Sequence, residues 1–154
     1  MRKKVLLDHT RVGPWVAEKL GACWVPGVTS SIGLVEIAED GTERIIAGAM
    51  FSDFNHASIQ VHIAGEQGTN WLTRPFLGFC FKYAFDQAGV SKILSFIGSK
   101  NEASFRFCSH LGFKLEARLE SAHPDGALLI YSMTRGQCRW LDLPTPKGAL
   151  YGQE

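Results

Sequence analysis

Asn101-Glu102-Ala103-Ser104-Phe105-Arg106-Phe107-Cys108-Ser109-His110-Leu111-Gly112-Phe113 carries its own punctuation. The spacing predicts a helix from Asn101, whose side-chain amide suits the first position, to Leu111, with Gly112 as its stop. Downstream, 113–121 and 128–133 read as two strands joined through His123-Pro124-Asp125-Gly126. Upstream lies a short apolar strand over 90–97, and before it an apolar helix over 74–88. In that helix Phe76, Leu77, Cys80, Phe81, Ala84 and Phe85 recur at helical spacing, and Gly89 ends the run. Pro75 fits only a first turn, which makes Thr73 the expected N-cap and turns the free N–H groups toward the loop 65–70.

Further out, residues 57–64 alternate Ser58, Gln60 and His62 with Ile59, Val61 and Ile63, the period of a strand with one polar and one apolar face. Two strand-like runs, 32–38 and 44–51, flank Asp40-Gly41, a strong hairpin signal. Residues 10–21 place Val12, Trp15, Val16 and Leu20 on one helical face and stop at Gly21. The expected order is helix, three strands, helix, strand, helix, two strands. This implies an α/β (α+β) domain with a mixed, mostly antiparallel sheet flanked by helices and a parallel crossover between the strands of Ile63 and Ile93. Ligands in such sheets gather where neighbouring connections diverge.

Composition removes several classes. A chain of 154 residues with 45% hydrophobic and 20% charged residues folds rather than staying disordered, and its length fits one domain, expected over 1–142, with 143–154 as an extended tail rich in Pro and Gly. The formal charge of +1 and the absence of a polybasic arm argue against a nucleic-acid partner. No run approaches the roughly 20 apolar residues of a membrane helix, so no membrane partner is expected and the cytoplasm is the expected compartment. Cys23, Cys80, Cys108 and Cys138 are scattered without metal-ligand spacing and read as reduced thiols; no metal is expected.

The helix quoted first, with Asn101, Ala103, Ser104, Arg106 and Leu111-Gly112-Phe113 in place, resembles the corresponding helix of the GNAT family of acyl-CoA N-acyltransferases. Lys82-Tyr83-Ala84-Phe85 with Gly89 is similar to that family's preceding helix, and Ile130-Tyr131-Ser132-Met133-Thr134-Arg135 to its terminal strand. The match looks closest to the Rim-type branch, and the chain is also similar to small GNAT-like proteins of tailed bacteriophages. The resemblance implies two splayed parallel strands, 57–64 and 90–97, with the pantetheine arm of acetyl-CoA in the gap and its pyrophosphate on the N-terminus of the crossover helix. It assigns donor contacts to Ile63, to Gln67, Gly68, Thr69, Asn70, Trp71, Thr73 and Arg74, and to Asn101, Ser104 and Arg106. The loop departs from the family: counting back from Tyr83 puts Gly68, Trp71 and Thr73 where Gln/Arg-x-x-Gly-x-Gly/Ala is usual, so Trp71 replaces a glycine that lets backbone approach phosphate.

The resemblance implies N-acetyl transfer to a primary amine, on a small molecule or a protein, by direct attack. The amine must be neutral to attack, which calls for a base. His62, on the polar face of the strand beside the gap, has the right intrinsic pKa, about 6.5; its structural alternative is an ordinary hydrogen-bonding histidine. His56, Glu36 and an acyl-carrying Cys108 are weaker alternatives. Cys108 stands where the family often has a tyrosine acid, leaving Ser109 or Tyr131 as substitutes. Two other readings accompany this one: a GNAT-fold binding module whose phosphate loop Trp71 has closed, and a nucleobase-modifying transferase. A homodimer is compatible with either.

Overall fold

The computed structural model describes residues 2–142 and the backbone of 150–151. It begins with a strand that the sequence reading lacks, β1 (Arg2–Leu6), followed by helix α1 (His9–Leu20) and strands β2 (Ser30–Ile37), β3 (Glu43–Ser52) and β4 (Ser58–Gly65). Helix α2 (Arg74–Lys82) runs into a single π turn over Tyr83–Gln87; then come β5 (Lys92–Gly98), α3 (Glu102–Leu111), β6 (Lys114–His123), β7 (Gly126–Thr134) and the two-residue β8 (Leu150–Tyr151). The strands form one sheet in the order β6-β7-β5-β4-β3-β2-β1-β8, antiparallel except at β4–β5 and β1–β8.

β1 escapes sequence reading because only Val5 and Leu6 of its five residues are buried, too few to show a period. It pairs antiparallel with β2 from Arg2↔Ile37 to Leu6↔Gly33. The tail expected over 143–154 falls outside the described residues apart from the backbone of Leu150–Tyr151, which pairs with β1. No helix among the described residues is long and apolar enough to cross a membrane.

Local signals explain the helices. Asp8 caps α1 by accepting from Thr10 N at 3.1 Å, and Gly21 closes it in the left-handed region at φ 63. Thr73 caps α2, with Pro75 in its first turn; Asn101 caps α3, and Gly112 ends it at φ 110. The sheet separates two apolar clusters. Helices α2 and α3 cover one face with Phe76, Phe81 and Leu111 against Ile93, Leu129 and Met133; α1 covers the other with Val12 and Val16 against Val35 and Met50. At the far edge β6 is almost wholly exposed, with Lys114, Glu116, Arg118 and Glu120 at alternate positions and Leu115 and Leu119 between them.

Helix α1 lies close on the sheet because two glycines face it. Gly33 and Gly48 are register partners, and a Cβ on either would stand 2.6 Å from Val12 Cγ2 or 2.5 Å from Val16 Cγ2. Gly48→Val must lift the helix or distort the strand, and should cost about 1–3 kcal/mol in urea unfolding. Gly136→Ala meets nothing within 4 Å and should stay within about 0.5 kcal/mol of wild type in the same assay.

Candidate active site

The site is made by a ladder that stops. β4 and β5 pair only at Ser58↔Lys92, Ile59↔Ile93 and Gln60↔Leu94. Beyond that, β3 holds β4 as far as Gly65, and β7 holds β5 as far as Gly98. Each strand follows its outer neighbour and a gap opens between them. Glu66 N donates to Ile46 O at 2.8 Å, and in an antiparallel ladder hydrogen-bonded partners alternate. The backbone groups of Ile63 and Gly65 therefore turn away from β3, toward the gap.

A cavity of about 270 Å³ fills the gap, lined by Val61, His62 and Ile63 of β4, by residues 95–98 of β5, and by Asn101, Ser104, Phe107 and Cys108 of α3. Leu20, Ala22, Leu111, Phe113 and His123 complete it. It communicates with both faces of the sheet: Val61 and Ile63 belong to the α2/α3 cluster, whereas His62 pairs with Met50 of the α1 cluster, beside the half-exposed Phe96. A second cavity, about 410 Å³, lies between Leu7, Ile32, Phe79 and Tyr83, and its lining is mainly apolar.

His62 is held by a short relay. Its Nε2 is 3.1 Å from Ser52 Oγ, and that hydroxyl donates to Asp53 Oδ2 at 2.9 Å. Ser52 has one hydroxyl proton and gives it to the carboxylate, so the imidazole must donate Nε2–H to Ser52 Oγ. Nδ1 is left as the lone-pair nitrogen. Burial pushes the His62 pKa below its usual value, and the Asp53 charge opposes that shift. Asp53 itself sits at φ 54, a left-handed backbone that costs a non-glycine residue about 1 kcal/mol or more. That kink directly follows β3 and directs the carboxylate back onto Ser52.

Across the gap, a Cβ added to Gly98 would lie 2.6 Å from His123 Cε1, so the imidazole rests directly on strand β5. His123 Nδ1 accepts from Asp125 N at 3.1 Å. The sequence reading places His123 only in a turn; its seat depends on a glycine in another strand, and His-Pro-Asp-Gly after an edge strand is the one local signal.

The other expected site residues separate into groups. Asn101 and Ser104 line the cavity, with Asn101 Oδ1 accepting from Ser104 N at 3.3 Å. Gln67, Gly68, Thr69 and Asn70 form the loop before α2, where Thr69 Oγ1 donates to Glu66 O at 2.7 Å and Lys3 Nζ donates to Asn70 O at 2.9 Å. Thr73 Oγ1 accepts from Phe76 N at 3.4 Å, Leu77 N bonds Thr73 O, and Pro75 has no N–H, which leaves Arg74 N–H as the donor of that first turn without a partner among the described residues. Trp71 lies over Gly65, where a Cβ would come within 2.0 Å of its Cε2, and its ring centroid is 5.7 Å from that of Phe107 and 6.4 Å from that of Phe76.

None of Gln67, Gly68, Thr69, Asn70, Trp71, Thr73 and Arg74 lines this cavity, and three further expected residues stand away from it. Arg106 is exposed and paired with Glu102, Ser109 is exposed on α3, and Tyr131 is packed in the α2/α3 core. Of the weaker alternatives, Glu36 pairs with Arg44 at 3.4 Å, exposed His56 packs against Phe54, and Cys108 bonds Ser95 Oγ at 3.5 Å with its thiol pKa raised by burial.

A family profile described as "Acetyltransferase (GNAT) domain" matches residues 35–128. The fold is shared with a variant of the spermidine N-acetyltransferase SpeG from Vibrio cholerae, at 14% identity over 76% of this chain and 69% of that one, TM-score 0.60. It is also shared with the ribosomal-protein-S5-alanine acetyltransferase from Vibrio fischeri, at 13% identity over 86% and 71%, TM-score 0.57. At such identities the likeness is one of fold. No curated protein sequence matches the chain.

The buried imidazole has a thermodynamic signature. Its pKa is lowered on folding, so the unfolded chain takes up the proton first as pH falls through about 6.5, and stability falls with it. His62→Gln removes this contribution. Its urea midpoint should drop less between pH 7 and pH 5 than that of wild type; equal drops would mean that His62 titrates as in the unfolded chain.

Proposed function

The chain belongs to the GNAT acetyltransferase family, and from that premise we propose that it is an acetyl-CoA-dependent N-acetyltransferase acting on a primary amine by direct attack. The observation that carries the reading is the gap between β4 and β5, open to both faces of the sheet and edged by strand backbone turned away from β3. Acetyl-CoA would supply the activated acyl group as a thioester. The residues present suit it: Ile63 and Gly65 offer amide groups along the gap, Asn101 keeps its Nδ2 donors while Oδ1 caps α3, and Arg74 adds its N–H and a guanidinium at the start of α2. Ser104 borders the same stretch of cavity.

Because α2 and α3 both lie on one face, a donor held by them enters from that side, and the amine approaches from the α1 side, where His62 stands. An amine with pKa near 10 is mostly protonated at pH 7 and must lose a proton to react. His62 Nδ1, with Nε2 committed to Ser52, is the acceptor for it. Asp53, through Ser52, stabilises the imidazolium that results.

Calorimetric titration of the ligand-free protein with acetyl-CoA and with CoA tests the donor half directly. Micromolar affinity, about 8 kcal/mol, is expected. A screen of amines should then give turnover that falls about ten- to a hundredfold in His62→Ala. A second reading rests on Trp71: its ring spans from Gly65 to Phe107, across the approach from α2 to the cavity, as a domain that had closed its donor site would have it. No binding heat at millimolar CoA would select that binding-module reading. If CoA binds, Trp71→Gly should tighten it about tenfold by clearing the loop; weaker binding would make the ring a cofactor contact.

A further inference from the structure

The α1 face of the sheet is covered on one half only. Cys108 Sγ donates to Ser95 Oγ, which turns Ser95 toward α3 and sets Leu94, Phe96 and Gly98 on the opposite, α1 side of β5. Register carries that side outward: Phe96↔Ile130 and Gly98↔Leu128 on β7, then Ala117↔Ile130 and Leu119↔Leu128 on β6. The apolar cluster beneath α1 draws on β1, β2 and β3 and takes nothing from β5, β7 or β6. Phe96 and Leu119 are therefore each left 44% exposed, with Ile130 and Leu128 half-buried between them. Among the described residues no helix lies over this apolar floor. It continues into the cavity already described: two residues past the last β4–β5 pair, Gln60↔Leu94, the same register would set His62 opposite Phe96, and both line the cavity. Leu20, 46% exposed, and Ala22 line it from the end of α1.

Fixed charge is missing from the same place. No Asp, Glu, Lys or Arg lines the cavity. The carboxylates around it are engaged: Asp53 accepts from Ser52, Glu66 pairs with Lys19, Glu116 pairs with Lys92 at 2.6 Å, and Asp125 stands 4.0 Å from His123 Nδ1. A second ammonium on an acceptor would leave water here and meet no carboxylate, whereas an apolar body would gain by covering Phe96 and its neighbours. We propose that the acceptor is a monoamine with an apolar, otherwise uncharged body, which lies on the floor of Phe96, Ile130 and Leu119 while its amino group reaches His62. Phe96, which belongs both to the floor and to the cavity, is the residue that sets this specificity. The inference rests on the acetyl-transfer reading above and names the acceptor class for it.

Two probes of equal length isolate the charge: n-hexylamine and 1,6-diaminohexane differ by one terminal ammonium. With acetyl-CoA saturating and thiol release followed, kcat/KM for hexylamine should exceed that for the diamine about tenfold or more. Phe96→Ser, which adds no charge at an exposed position, should lower kcat/KM for hexylamine about tenfold and leave the KM for acetyl-CoA unchanged. Phe96→Asp should lower it as well and raise that for the diamine, so that the ratio of the two shifts toward the diamine. Equal use of the two amines, preference for the diamine, or a ratio that stays at the wild-type value in Phe96→Asp overturns the assignment and leaves acetyl transfer intact. Binding of acetyl-CoA with turnover of neither amine also overturns it, while the donor half of the reading stands. Failure of acetyl-CoA to bind overturns both.

Discussion

Three residue pairs hold β4 to β5, and everything that can act as a site depends on the fourth pair not forming. A strand that loses its neighbour leaves N–H and C=O groups without partners, a costly state unless water or a ligand takes them. Here the cost falls at the mouth of a cavity whose walls carry the two imidazoles. The outer ladders, β3 to β4 and β7 to β5, keep each strand straight past the point of separation, so the gap is a property of the whole sheet rather than of one loop.

The faces of that sheet are covered by different means. On one side α2 and α3 pack large aromatic side chains, and Trp71 joins them through Phe76 and Phe107. On the other, α1 sits on paired glycines, and its last residue, Leu20, reaches the cavity together with Ala22 just past the Gly21 cap. The position of α1 on β2 and β3 thus fixes how wide the second entrance is. A change at Gly33 or Gly48, far from either imidazole, would be felt there.

Much of the architecture was legible because each helix carries a start and a stop: Thr73 with Pro75, Asn101 with Gly112, and Gly21 after α1 all act as their chemistry suggests. The alternation of β4 likewise separated His62 from its apolar neighbours. What sequence could not show was pairing between distant residues. The Ser52–His62 bond crosses a hairpin, the His123 seat needs a glycine in another strand, and Trp71 finds Gly65 only after the loop has turned. β1 was invisible for a simpler reason, since two buried residues make no pattern. Residue types in the gap could be named; the hydrogen bonds that decide which nitrogen carries a proton could not.

The far edge of the sheet has a consequence of a different kind. β6 leaves one row of backbone donors and acceptors open to water, the arrangement through which folded sheets recruit further strands. Its side chains alternate in sign along the strand, with Glu116 neutralised by Lys92 of β5 at 2.6 Å and Arg118 by Glu120 at 2.6 Å. A second copy docking edge to edge would have to strip water from these charges. The strand therefore acts as colloidal insurance: crowded copies should remain separate particles rather than grow into a ribbon, although Leu115 and Leu119 stand exposed between the charges.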